Sequence, residues 1–148
     1  MKVTIGSDHN GVTFKKLLAD HLGDRGDEVI DVGSQTRESV DYPDYAFKAA
    51  ELVSDGSADY GVLICGSGIG MSIAANKVMG IRAALCFTAE EASLTRRHND
   101  ANVLTLAGWR TEASDVMGIV DAFLDTEFEG GRHARRVAKI SEFEKRSK

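Results

Sequence analysis

The sequence predicts an α/β protein of the three-layer, doubly wound (Rossmann-like) type, with one parallel sheet of five strands. Apolar runs of strand length alternate with helical patterns along the chain, which favours right-handed crossovers between parallel strands. Hydrophobic residues make up 43% and charged residues 28% of the 148 residues, as in a globular domain. With a single proline and no low-complexity segment there is no sign of a linker, so we expect one domain over residues 1–148.

The first half of the chain is predicted to be β-α-β-α-β. Strands are predicted over residues 2–6 and 28–33, because both runs are short, contain β-branched residues and end at a glycine. A helix over residues 14–22 separates them, since its leucines and phenylalanine fall on one face at helical spacing. A second helix over residues 45–53 ends before a glycine, and the run YGVLIC over residues 60–65 predicts the third strand.

The second half continues the alternation with two strands and four helices. Thr88 is a predicted N-cap residue, and Glu91 stands at the spacing of a capping box, so a helix begins there. Two consecutive glycines precede an extra C-terminal helix. The predicted elements are a helix over residues 69–79, a strand over 81–86, a helix over 88–97, a strand over 102–106, and helices over 113–124 and 132–145.

The predicted strand order, 2-1-3-4-5, indicates where a ligand binds. In doubly wound sheets the ligand lies beyond the carboxyl ends of the strands, where the order reverses, here between strands one and three. Strand one is followed by Asp8 and His9, and strand three by Cys65 and a glycine-rich loop. Ionisable side chains and the glycine loop therefore meet at the expected ligand position.

The loop over residues 66–70 is interpreted as an oxyanion site. Its alternate glycines let the backbone approach a ligand, and the following helix offers free amide hydrogens. No phosphate-loop lysine is present. Met71 stands where a dinucleotide-binding fingerprint has its third glycine, and where the C-x5-R pattern of cysteine phosphatases has arginine. The spacing thus disfavours nucleotide and phosphatase sites, including a flavin- or nucleotide-binding module on the same fold.

Cys65 is open to two interpretations. A cysteine at a strand end is often a small buried hydrophobe. A helix N-terminus beside a thiol favours the thiolate, however, and Cys65 lies at the predicted ligand position, so we interpret it as functional. Asp8 and His9 are interpreted in the same way, whereas Cys86 lacks a glycine loop and is predicted to lie in the core.

Charge and hydropathy exclude several classes of partner. The net charge of −5 argues against a nucleic-acid-binding surface. No apolar stretch reaches the length of a membrane span and no signal peptide is evident, so we expect a cytoplasmic protein with no membrane partner. Arg132 and Arg136 share a face of the last helix and are compatible with a phosphate clamp, although such arginines are often only a solvated surface.

Taken together, these motifs resemble the type B ribose-5-phosphate isomerases, the family that includes the subunits of galactose-6-phosphate isomerase. The resemblance covers essentially the whole chain and is specific in the order and spacing of its parts. The motifs that carry it are Gly6-Ser7-Asp8-His9-Asn10-Gly11, Asp41-Tyr42-Pro43, Cys65-Gly66-Ser67-Gly68-Ile69-Gly70, Ser72-Ile73-Ala74-Ala75-Asn76-Lys77, Gly80-Ile81-Arg82-Ala83-Ala84, His98-Asn99-Asp100-Ala101-Asn102, and Glu129-Gly130-Gly131-Arg132-His133 with Arg136-Val137.

The resemblance implies interconversion of an aldose phosphate and a ketose phosphate through an enediolate, without metal or organic cofactor. It implies that Cys65 is the base, that Ser67 and the loop amides hold the enediolate oxygen, and that His98 opens the sugar ring. Asp8 would orient the sugar. The implied substrate-binding residues are His9, Tyr42, Gly66, Gly68, Ile69, Gly70, Asn99, Arg132 and Arg136.

The predicted topology separates two of these residues. Cys65 lies at the carboxyl end of its strand, whereas His98 ends a helix that leads into the opposite edge of the sheet. We therefore expect a homodimer, or a tetramer built from it, in which each site combines residues of two chains. The family resemblance implies the same.

Two departures from the family pattern leave the substrate open. Ser67 stands where the family usually has threonine, and Trp109 falls where it has an arginine, with Arg110 one residue later. Ribose 5-phosphate is the expected substrate. The alternatives are a six-carbon sugar phosphate, such as allose 6-phosphate or galactose 6-phosphate, and a non-catalytic subunit that only binds a sugar phosphate.

Overall fold

Five parallel strands and six helices form the chain, and the computed structural model describes residues 1–146. Residues 147 and 148 of the predicted domain lie outside the described residues. The strands are β1 (Lys2–Ser7), β2 (Glu28–Asp31), β3 (Tyr60–Cys65), β4 (Ala83–Leu85) and β5 (Val103–Ala107). The helices are α1 (Val12–Asp24), α2 (Tyr42–Ser54), α3 (Ile69–Ala75), α4 (Ala89–Asn99), α5 (Ala113–Asp125) and α6 (Gly131–Arg146).

The predicted α/β class and five-stranded parallel sheet are confirmed, but the predicted strand order is wrong. The observed order is β2-β1-β3-β5-β4, so β5 lies between β3 and β4. Every residue of β5 is buried, whereas β4 has three residues that are only partly buried. A central strand needs an apolar run covered on both faces, and a short strand is tolerated at the edge, which explains the exchange.

Helices cover both faces of the sheet and give the three layers. Helices α2 and α3 pack on one face, where Leu63, Met71 and Ala50 lie in one apolar cluster. Helices α1, α4 and α5 pack on the other face around Phe123 and Leu104. These side chains are fully buried, and burial of this kind is the main stabilising contribution to such a fold. The packed sheet provides a rigid edge from which the loops project.

Helix α3 is shorter than its predicted extent to residue 79. It ends at Ala75 because the side chain of Asn76 takes over the last hydrogen bonds. The Asn76 amide donates to the carbonyls of Ser72 (2.9 Å) and Ala83 (2.8 Å), and its oxygen accepts from the Ala83 N–H (2.8 Å). One side chain therefore closes the helix and fixes the start of β4.

The N-terminus of α4 has the predicted capping box. The Thr88 hydroxyl accepts from the N–H of Glu91 at 3.1 Å, and the Glu91 carboxylate accepts from the N–H of Thr88 at 3.2 Å. Helix α2 begins earlier than predicted and has Pro43 in its first turn. Proline is tolerated there because the N–H that it lacks would have no partner within the helix.

Among residues 1–146, the structure has no helix that is both long and apolar enough to cross a bilayer.

Candidate active site

Cys65 ends β3 at the carboxyl edge of the sheet. Its side chain is buried, and the N–H of Gly68 points at its sulfur, with a distance of 3.2 Å between N and Sγ. Gly68 has a φ of 74°, a left-handed conformation that glycine adopts without strain. This conformation turns the loop back over the strand end, so that a backbone donor faces the sulfur.

Asp8 lies directly beside the end of β3. Ser7 pairs with Ile64 in the β1–β3 register, and the N–H of Asp8 donates to the Ile64 carbonyl at 3.1 Å. The Asp8 carboxylate is 5% exposed and accepts from the N–H of Asn10 at 2.8 Å. Asp8 and Cys65 therefore follow adjacent positions of neighbouring strands, as the switch-point argument predicts.

His9 is oriented by the backbone of a loop that precedes α2. Its Nδ1 lies 3.3 Å from the N–H of Val40, which can only donate, so Nδ1 accepts this hydrogen bond. The His9 Nε2 lies 3.2 Å from the side-chain nitrogen of Asn10. His9 thus shares this sheet edge with Asp8 and Cys65.

Aromatic rings pack against both ends of the glycine loop. A Cβ built on Gly66 would lie 2.5 Å from Cε2 and Cζ2 of Trp109, and one built on Gly70 would lie 2.7 Å from Cζ of Tyr42. A side chain at either position would force the neighbouring ring to shift. Between them, the Ser67 hydroxyl accepts from the N–H of Ile69 at 3.3 Å. The loop is held in shape by these contacts.

The remaining predicted residues lie at the other end of the strands, opposite to their carboxyl ends. His98 and Asn99 end α4, while Arg132 and Arg136 lie exposed in the first turns of α6. The six residues of β3 separate this edge from Cys65, a distance of about 16 Å at about 3.3 Å per residue. One chain therefore brings the predicted site residues together in two groups, not in one.

His98 stacks on a histidine to which the sequence analysis assigns no role. The rings of His98 and His133 are parallel within 7°, with centroids 4.3 Å apart. The Nε2 of His133 has no hydrogen-bond partner among the described residues. Burial and the positive charges of His98, Arg132 and Arg136 lower the pKa of His133, so its ring favours the neutral form.

Arg96 holds the segment that presents His98. Its guanidinium is 5% exposed and donates to the Asp100 carboxylate (2.8 Å), the Ala101 carbonyl (2.6 Å) and the Tyr60 hydroxyl (3.0 Å). It also lies 4.8 Å from the centroid of the Tyr60 ring. These contacts connect the end of α4 to β5 and to β3.

His98, Glu129 and His133 form the group among the described residues that could offer ligands to a metal ion. One donor atom from each lies within 4.8 Å of the others. The Glu129 carboxylate, however, is already paired with Arg97 at 2.6 Å, and Arg132 adds a further positive charge beside His133. This cationic environment suits an anion better than a metal ion.

The side chain of Arg110 points towards Phe87. Its guanidinium lies 4.8 Å from the centroid of the Phe87 ring, next to β4. The position beside the glycine loop is filled by the Trp109 indole, as the Gly66 contact shows.

Comparisons with known proteins agree with this arrangement. The family model described as Ribose/Galactose Isomerase matches residues 3–140. The chain is 46% identical over 145 residues to the ribose-5-phosphate isomerase B of Escherichia coli (strain K12), covering 98% of this chain and 97% of that protein. It is 47% identical over 148 residues to a putative sugar phosphate isomerase of Bacillus subtilis (strain 168), covering 99% of each chain.

Solved structures of related proteins superpose closely on the whole chain. The ribose-5-phosphate isomerase B of Clostridium thermocellum has a TM-score of 0.98 and 53% identity, with full coverage of both chains. That of Mycoplasma genitalium, solved with bound ribulose-5-phosphate, has a TM-score of 0.94 and 45% identity, covering 97% and 96% of the two chains. The motifs, the fold and these relatives agree, and the chain belongs to the ribose/galactose isomerase family.

Proposed function

We propose that the protein interconverts ribose 5-phosphate and ribulose 5-phosphate. The observation that carries the proposal is the sulfur of Cys65 beneath the glycine loop, with the Asp8 carboxylate on the neighbouring strand end. The relative from Mycoplasma genitalium, which holds ribulose-5-phosphate, supports the same substrate. The family description also includes galactose, so a six-carbon sugar phosphate is the second candidate.

The proposed chemistry is a proton transfer between C2 and C1 of the open-chain sugar. The Cys65 thiolate removes the proton from C2, and the C–H electron pair forms the C1–C2 double bond while the C1 carbonyl oxygen becomes negative. A proton then moves from the C2 hydroxyl to the C1 oxygen, which leaves the negative charge on the C2 oxygen. Return of the abstracted proton from Cys65 to C1, with the electron pair of the C1–C2 double bond, re-forms a carbonyl at C2 and gives the ketose. These steps need a base and a site for the oxyanion, and they need no metal or organic cofactor.

Backbone donors of the glycine loop are suited to the enediolate oxygen. The N–H groups of residues 66–70 and the Ser67 hydroxyl are the donors in the proposal, and a single donor of this type is worth about 3–4 kcal/mol of the barrier. Asp8, held by Asn10, orients the sugar hydroxyl groups. The role assigned to Tyr42 is to line the site beside Gly70.

The phosphate and the ring-opening step are assigned to the other group of residues. His98 opens the sugar ring, Asn99 lines the site, and Arg132 and Arg136 bind the phosphate together with His9. Because one chain holds these groups at opposite sheet edges, we propose a homodimer in which a second copy supplies His98 and the two arginines.

The outer surface of α6 supports such an interface. A groove of about 790 Å³ lies between the edge strand β4 and α6, and its lining includes Met79, Ile140 and Phe143. Ile140 and Phe143 are 55% and 71% exposed, and exposed apolar surface of this kind marks contacts between proteins.

Since a phosphorylated sugar does not cross a lipid bilayer, the proposal places the enzyme with its substrate in the cytoplasm.

The test is exchange of the substrate hydrogen at C2 with solvent deuterium, followed by NMR with the purified chain alone. Ribose 5-phosphate and allose 6-phosphate are assayed separately, with the Cys65→Ala variant as the matched control. Exchange with ketose formation by the wild type, and its loss in the variant, is the expected result. Exchange with allose 6-phosphate alone would identify the six-carbon substrate, and no exchange with either sugar would overturn the proposed reaction.

A further inference from the structure

The most exposed large apolar side chain beside the glycine loop is Trp109. It is 72% exposed, although tryptophan is usually well buried in a globular protein. Its position in the fold is fixed, because Trp109 follows β5, the neighbour of β3, and its N–H donates to the Gly66 carbonyl at 2.9 Å. An exposed indole is thus held one residue away from Cys65.

The indole lies face-on against the loop. A Cβ on Gly66 would be 2.5, 2.5 and 2.7 Å from three adjacent atoms of the indole, which means that Gly66 faces the plane of the ring and not its edge. One face of the ring is therefore packed against the loop. The opposite face and the outer edge stay open to solvent, where a ligand can reach them.

The chemistry of the indole indicates which part of a sugar phosphate it contacts. The face of an aromatic ring carries negative charge, which repels a phosphate, while the C–H bonds of a sugar carry slight positive charge and are attracted. The phosphate is assigned to His9 and to arginines of α6, and not to this ring. The carbon chain, which reacts at Cys65, is the part that comes next to Trp109.

We propose that Trp109 is a specificity-determining residue that binds the C–H surface of the sugar and so distinguishes a sugar phosphate from a bare phosphate. This inference rests on the proposed function. It concerns the carbon chain alone and assigns Trp109 no role in proton transfer.

Intrinsic fluorescence gives a direct readout because Trp109 is the single tryptophan of the chain. Full-length Cys65→Ala protein, which binds without turnover, is titrated with ribose 5-phosphate and separately with inorganic phosphate. A saturable change in emission with the sugar phosphate, absent at saturating inorganic phosphate, is expected. An identical response to both anions, or no response to either, would overturn the proposal, and this holds even when the wild-type protein fails to isomerise ribose 5-phosphate.

Kinetics of Trp109→Ala and Trp109→Phe separate binding of sugar from binding of phosphate. The alanine variant is expected to raise the KM for ribose 5-phosphate about tenfold, with a smaller change in kcat, while the phenylalanine variant restores most of the affinity. The inhibition constant of inorganic phosphate is expected to stay within about twofold. An equal rise in the KM for ribose 5-phosphate and in the inhibition constant of inorganic phosphate would mean that Trp109 contacts the phosphate, and it would overturn the proposal. An alanine variant that elutes as a monomer, where the wild type elutes as a dimer, would make Trp109 an interface residue and overturn the proposal.

Discussion

Two cysteines differ in their surroundings: Cys65 ends β3, and Cys86 follows β4 on the far side of β5. Cys65 faces the N–H of Gly68, which can stabilise negative charge on its sulfur. Burial, together with the negative charge of Glu91, raises the pKa of Cys86 to about 12, so that Cys86 stays a neutral thiol. The structure thus provides a reactive candidate and a matched inert control within one chain.

Replacement of Cys65 by alanine is expected to lower kcat for isomerisation by roughly 10²–10⁴-fold, the contribution of a well-placed general base. Binding of ribose 5-phosphate is expected to persist, since the loop amides and the phosphate-binding residues are unchanged. Steady-state kinetics and a binding titration on the same preparation measure the two effects.

The control is Cys86→Ala, which removes a buried thiol that no proposed step uses. This variant is expected to lose some stability and to keep kcat within about threefold. A Cys65→Ala enzyme with wild-type kcat, or a Cys86→Ala enzyme that is folded and inactive, would contradict the assignment of the base.

The positions of Asp8, His9 and Cys65 follow from the sequence because each comes directly after a predicted strand. The stacking of His98 on His133 does not, because it joins the end of α4 to the start of α6, a contact between residues far apart in the chain. The pattern Glu-Gly-Gly-Arg-His, with Glu129 and His133 four residues apart, is the one local signal that could have drawn attention to it.

At the scale of elements, Arg96 is the residue that fixes the end of α4. Its buried guanidinium donates to Asp100 and Ala101, which follow α4, and to Tyr60 of β3, a set of contacts that the single ammonium of lysine cannot reproduce. Arg96→Lys is expected to lower the free energy of unfolding by about 2–4 kcal/mol, measured by urea denaturation. Arg97→Lys, at an exposed pair with Glu129, is the control and is expected to cost under about 1 kcal/mol. Equal losses in the two variants would contradict this role.

Lys15 and Asp31 connect α1 to β2. Lys15 is buried, and its ammonium pairs with the Asp31 carboxylate. Burial raises the pKa of Asp31. Hydrogen bonds from Lys15, from the Gln35 side chain and from the N–H of Gly33 lower this pKa by a larger amount, so that it lies below its ordinary value. The pair therefore stabilises the fold above the unfolded-state pKa of about 4 and loses this effect as the pH falls through the lower, folded-state pKa.

The variant Asp31→Asn leaves the Lys15 charge buried without its counter-ion, and it is expected to lose about 2 kcal/mol of stability at pH 7. The difference from the wild type is expected to shrink as the pH falls from 5 towards 3, because the wild-type carboxylate then becomes protonated. Urea denaturation at a series of pH values measures it, with Asp24→Asn on the exposed end of α1 as the control. A difference independent of pH would contradict an ionic contribution.

Strand order shows where prediction from sequence ends at this scale. Strands were expected over residues 81–86 and 102–106, and the structure has the shorter β4 (Ala83–Leu85) within the first range and β5 (Val103–Ala107) at the second. Nothing local states which of them neighbours β3, since a crossover can place a strand one position further away. The information lies in β5, whose residues are apolar except for Thr105 and are all buried, whereas the arginine and alanines around β4 leave that strand partly exposed.

At the scale of the molecule, the sequence predicts both halves of the site and their separation. Asp8 and Cys65 were expected at the carboxyl edge and His98 at the other, and the sheet keeps these edges apart. The shape of the surface between β4 and α6 was not predictable, because Ile140 and Phe143 fit the apolar face of an amphipathic helix equally well whether that face is buried or exposed. The proposed second copy, seated on this groove, would account for both the separation and the exposure.

Complementation between two inactive variants tests this assembly. In a two-fold dimer, a Cys65→Ala chain paired with a His98→Ala chain has one site that carries both changes and one site that is intact. Random exchange makes half of the dimers mixed, so an equimolar mixture is expected to regain about one quarter of the wild-type kcat. The measurement is isomerase activity before and after subunit exchange, with the mixed dimer isolated by two affinity tags. The control mixes Cys65→Ala with Ser67→Ala, and these two residues lie in the same half of the site. Each site of every dimer then carries one of the two substitutions, so activity is expected to stay low. Isolated mixed dimers of the first pair that remain inactive would contradict a site shared between two chains.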